Sequence, residues 1–120
     1  MSTTTSSSPY RKPYEHRLPY RKWLALEKRL RALAKDPRVF HAHVQATPLR
    51  HGQKLWLYIE CSPPDKLWPG KGISEKQWVQ FSGKVRSTLA RSLPQAEVKC
   101  RPWRPDQKFW LGMTTYILTT

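Results

Sequence analysis

The chain has 120 residues, with 22 Lys and Arg against 8 Asp and Glu, a formal net charge of +14. That length holds one domain with a modest core, and the excess of cations makes phosphate backbones or anionic surfaces ready partners while opposing compaction by self-repulsion. No apolar run reaches the length of a membrane-spanning helix, the start lacks the apolar core of a secretory signal, and two cysteines make neither a disulfide framework nor a zinc site.

Residues 1–18 are expected to form a tail. Residues 2–8 are all Ser or Thr, a composition with nothing to bury, and disorder is expected there. Pro9-Tyr10-Arg11-Lys12 then recurs as Pro19-Tyr20-Arg21-Lys22, with Pro13-Tyr14 between. Proline favours extended backbone, tyrosine stacks, and Arg and Lys neutralise phosphates, so Arg11, Lys12, Arg21 and Lys22 are candidate contacts of a basic arm. A linker whose tyrosines pack on the domain is the plain alternative. The Pro-Tyr signature with basic residues ahead of it also loosely resembles a nuclear import signal. The expected compartment is the reducing cytoplasm, with the nucleus as the alternative in a eukaryotic or viral setting.

A single α+β domain is expected over residues 19–120. Trp23, Leu26, Leu30 and Leu33 fall at steps of three and four, which predicts a helix over 19–35, ended by Asp36-Pro37. Residues 39–47 alternate: Phe40, Ala42, Val44 and Ala46 are expected inward, His41, His43, Gln45 and Thr47 outward. A cationic turn over 48–53 leads to a strand over 54–61, with Leu55, Leu57, Ile59 and Cys61 inward and Lys54, Trp56, Tyr58 and Glu60 outward. The two read as an antiparallel hairpin. A proline- and glycine-punctuated loop follows, carrying Lys66, Trp68 and Lys71.

Ser74 and Gln77 have the spacing of a capping box, and Ile73 with Trp78 that of a hydrophobic staple. Trp78, Phe81, Val85 and Leu89 form the stripe of a second helix ended by Pro94. Ala96, Val98 and Cys100 predict a third strand. The fourth runs from Lys108 to about Leu118, with Phe109, Leu111, Met113 and Ile117 inward and Lys108, Trp110, Thr114 and Tyr116 outward. Both cysteines thus read as small buried apolar groups.

The string Pro48, Arg50, Gln53, Lys54, Trp56, Leu57 returns as Pro102, Arg104, Gln107, Lys108, Trp110, Leu111, at one constant offset of 54 positions. Ala42 and Val44 match Ala96 and Val98 at the same offset; with a one-residue slip, Trp23 matches Trp78 and Arg31 matches Arg86. The expectation is a duplicated αββ unit (αββαββ), over about 19–61 and 73–118. Its simplest form is a four-stranded antiparallel sheet with two helices on one face.

The uncovered face would then carry aromatic rings among cations, which is how single-stranded nucleic acids are held. The candidate nucleic-acid contacts are Arg50, Lys54, Trp56, Tyr58, Lys99, Arg101, Arg104, Lys108, Trp110 and Tyr116, together with the four cations of the arm. The expected partner is RNA or single-stranded DNA, with no catalytic residues and no cofactor. In the alternative, the same face is buried in a homodimer or docks as an adaptor on an acidic protein. A third reading starts from His41-Ala42-His43: alternate strand residues share a face, and this pattern resembles the metal site of single-strand nicking endonucleases. Those enzymes also use a third ligand and a tyrosine, usually on a helix; the helix over 74–93 has no tyrosine, and the second copy carries Gln95 and Glu97 where the histidines stand. The αββαββ pattern resembles duplicated sheet folds that bind DNA, including one class of homing endonucleases, whose acidic helix motif is absent from this chain.

Overall fold

A computed structural model describes residues 15–50, 52–64 and 72–119. The elements are β1 (Glu15–Leu18), α1 (Tyr20–Ala34), β2 (Val39–Leu49), β3 (Gly52–Cys61), α2 (Glu75–Ser92), β4 (Lys99–Cys100) and β5 (Phe109–Thr119). They make an α+β fold of two helices and one mixed five-stranded sheet.

The sheet is built on β5. On one side β5 pairs antiparallel with β3, and β3 with β2; on its other side it pairs antiparallel with β4 and parallel with β1. The sheet therefore differs from four antiparallel strands. Glu15–Leu18, expected to close the tail, is instead a parallel strand along residues 116–119 of β5. His16 Nδ1 lies 3.0 Å from the buried Thr115 hydroxyl, and Leu18 is buried in the core. The third predicted strand is reduced to two ladder residues, although Ala96, Val98 and Cys100 pack against the core as their alternation requires.

Both helices use the stripes their spacing predicts. α1 buries Trp23, Leu26 and Leu30, and α2 buries Trp78, Phe81, Val85 and Leu89. They lie on the sheet face formed by Leu55, Leu57, Ile59, Cys61, Phe109, Leu111, Met113 and Ile117. Trp78 meets Phe109 with ring centroids 4.8 Å apart, and Trp103 packs on Phe109 while its indole N–H donates to the Ile73 carbonyl at 2.8 Å. α2 starts with the complete capping box: the Gln77 N–H donates to the Ser74 hydroxyl, and the Ser74 N–H to the Gln77 amide oxygen. α1 starts after Pro19 with no side-chain cap.

Two local features correct the simple alternation. Val39 pairs with Cys61 but His41 pairs with Glu60, so β2 holds an extra residue there. This bulge turns Val39 onto the core and leaves Phe40, expected inward, 58% exposed with the Lys108 ammonium 3.7 Å from its ring centre. At the other end of the hairpin, Leu49 pairs with Gly52. A Cβ at Gly52 would run into the Ile117 carbonyl, so only glycine lets β3 begin this close to β5.

Candidate nucleic-acid interface

The helices cover one sheet face and leave the other open. Residues directly opposite on paired strands share a face, so the register writes the composition of the open one. Across β3 and β5, Lys54 stands opposite Tyr116, Trp56 opposite Thr114, Tyr58 opposite Gly112 and Glu60 opposite Trp110. Across β2 and β3, His41 stands opposite Glu60, His43 opposite Tyr58 and Gln45 opposite Trp56. β4 adds Lys99 beside Gly112.

Ring contacts gather these side chains into two neighbouring clusters, an aromatic field. Tyr58 stacks with Trp110 at 6.2 Å and 27°, His43 meets Trp56 edge-on at 5.7 Å, and His41 lies 6.2 Å from Tyr58. Trp56 keeps half of its surface in solvent, a large exposure for tryptophan, and the Lys54 ammonium is 5.7 Å from its ring centre. A concavity of about 570 Å³ opens over Gly112, with Trp56, Tyr58 and Trp110 as its rings and Lys99, Gln95 and Glu97 on its rim. That volume lies in the range of small-ligand pockets, roughly 300–1,000 Å³. Glycine makes the floor: a Cβ at residue 112 would sit 3.3 Å from the Leu57 carbonyl and 3.5 Å from the Tyr58 ring.

Two ionisable neighbours shape the face. Burial pushes the Tyr58 hydroxyl above its ordinary range, and the Glu60 carboxylate, which accepts its hydrogen bond at 3.3 Å, adds to the shift. Tyr58 therefore stays a neutral ring and donor. His43 is tied to the Gln45 side chain at 2.7 Å. Among the described residues, no group of three or more His, Cys, Asp or Glu could hold a metal ion.

The predicted site residues separate into groups. Lys54, Trp56, Tyr58, Lys99, Trp110 and Tyr116 come together on the open face. Arg101 follows β4, where its backbone N–H donates to the Trp110 carbonyl at 2.7 Å. Arg104 and Lys108 lie before the start of β5, whereas Arg50 follows β2 at the end of the hairpin, beside the far end of β5. The two ends are separated by eight residues of strand, roughly 27 Å. Arg21 and Lys22 stand in the first turn of α1, on the helical layer and away from the aromatic field. Arg11, Lys12 and the loop residues Lys66, Trp68 and Lys71 lie outside the described residues. Sequence reasoning missed Gly112, Gln95 and Glu97. The signal for the first was available, since an isolated glycine within a strand marks a close approach.

Comparison with protein-family models, with curated proteins and with solved structures found no match.

Proposed function

We propose that this protein is a small, non-enzymatic nucleic-acid-binding protein that takes single-stranded RNA or DNA on the open face of its sheet. The observation that carries this reading is the cluster of Trp56, Tyr58 and Trp110 around the concavity over Gly112, with Lys54 and Lys99 beside it. Bases stack on the rings, each worth about 1–3 kcal/mol, and the ammonium groups neutralise the phosphates. Stacking of this kind is tolerant of sequence because every base has a π-face.

Duplication of an αββ unit fits the same reading. Tyr58 pairs with Gly112, 54 positions on, which is the offset of the repeated string. That register is the one a duplicated unit calls for, in which a local twofold at this pair would exchange Trp56 with Trp110 and Arg50 with Arg104. Two tryptophan rings across one floor suit a strand laid over the sheet. Arg101, Arg104, Lys108 and Arg50 then extend the cationic path towards the two ends of the face.

A second reading, self-association or docking on an acidic protein, draws on β2. This strand of 11 residues lies at the edge of the described sheet and holds no Lys, Arg, Asp or Glu. An uncharged edge lets a second strand approach a highly cationic chain.

Fluorescence anisotropy with an unstructured oligonucleotide, beside sedimentation of the free protein, tests the proposal. Trp56→Ala with Trp110→Ala is expected to weaken binding by about tenfold or more, the loss of at least one stacked base, with the sedimentation unchanged. Unchanged affinity sinks the stacking reading, and an oligomer that dissociates at the same time makes the aromatic face, rather than the β2 edge, the contact between copies.

A further inference from the structure

Away from the aromatic field, a groove of about 480 Å³ lies at the β1 side of the helical layer. Four cations from three elements line it: Arg17 of β1, Lys22 and Arg29 of α1, and Arg91 of α2, with the Ser92 hydroxyl beside them. All four are exposed, and among the described residues no carboxylate lines the groove. Among the described residues the ion pairs are Arg31 with Glu27 and Arg38 with Asp36, so none of these four cations is paired there. Lys22, Leu26 and Arg29 fall on one face of α1 by their spacing, which aims both charges at the same wall.

Four like charges around one concavity repel one another, and a polyanion relieves that repulsion. The rest of the lining decides which kind. Among the described residues the rest of the lining, Leu18, Pro19, Ala25 and Leu26, supplies no aromatic ring for a base to stack on. What matches is repeated phosphate, to which three guanidinium groups offer forked donors. We propose that this groove is a second nucleic-acid site, one that holds the phosphodiester backbone irrespective of sequence and accepts a duplex as readily as a single strand. The inference rests on the reading of this chain as a nucleic-acid binder, but it uses none of the residues of the aromatic face. A chain with a stacking site on one side and a backbone site on the other holds two segments at once.

The test compares a short blunt-ended DNA duplex with an oligothymidylate, both by fluorescence anisotropy over a range of salt. Arg29→Glu with Arg91→Glu is expected to lower duplex affinity by about tenfold or more and to flatten the plot of log K against log salt by about 0.9 for each phosphate no longer neutralised. Trp56→Ala with Trp110→Ala is expected to change duplex affinity by less than about twofold while weakening oligothymidylate binding. Arg17→Gln with Lys22→Gln provides a milder second variant with the same direction of effect, and circular dichroism checks that each variant is folded. Duplex affinity that stays within about twofold in both charge variants overturns the groove site. A wild-type protein that binds oligothymidylate but no duplex also overturns it and leaves the aromatic reading standing. Binding of neither probe removes both.

Discussion

Cys61 has no exposed surface at the end of β3, and burial is the main cause that pushes its thiol up to about 12 from an ordinary value of 9.0. The folded value lies above the unfolded one. The associated stability is therefore fully present below pH 9 and is lost as pH rises towards 12, because the unfolded chain releases a proton that the folded chain keeps. The slope from this one group is at most about 1.4 kcal/mol per pH unit. Urea unfolding between pH 9 and 11 should show wild-type stability falling more steeply than that of Cys61→Ala, with the two curves parallel below pH 8. The native Cys61 thiol should also resist a thiol reagent that labels the half-buried Cys100. This placement was legible from alternation alone, since Leu55, Leu57, Ile59 and Cys61 share one parity. Phe40 was not, because one extra residue at the bulge inverts the parity of whatever precedes it.

Strong local signals fix some elements, and pairing with distant chain fixes others. α2 is of the first kind. Ser74 and Gln77 exchange both capping hydrogen bonds, and Ile73 and Trp78 on either side are buried. Ser74→Ala should lower the unfolding free energy by about 0.5–2 kcal/mol in urea titrations. Gln77→Ala should cost less on its own, and the double substitution less than the sum, since each bond in the box supports the other. β1 is of the second kind. Its four residues carry no alternation a reader could weigh, and their partner lies about a hundred positions away at the end of β5. β4 is cut to two residues because β5 shares that edge with β1 and because Pro102 stands two residues past its end. The period of two and the period of 3.6 thus disclosed the core and the open face, while the composition of the sheet edge depended on contacts that no local pattern encodes.

At the scale of the whole molecule, one property acts with opposite signs on folding and on binding. A net charge of +14 leaves the cations in large excess over the acids, and among the described residues only Asp36 and Glu27 form ion pairs with them. Arg38 donates to Asp36 through both its guanidinium and its backbone, and this holds the carboxyl below its ordinary range. Elsewhere the field is repulsive, and salt shortens its reach to about 10 Å at 0.1 M. The free protein should therefore become more stable as sodium chloride rises from low to physiological concentration, read as an upward shift of the thermal midpoint. Over the same range its affinity for a single strand should fall, with a log–log slope of about −0.7 for each phosphate engaged. The pairing of the two trends is diagnostic. A fold held by surface ion pairs would lose stability as salt is added, and a face that bound its partner by apolar contact alone would keep its affinity. A thermal midpoint that drops while oligonucleotide affinity stays constant would contradict the assignment of this charge to a polyanionic ligand.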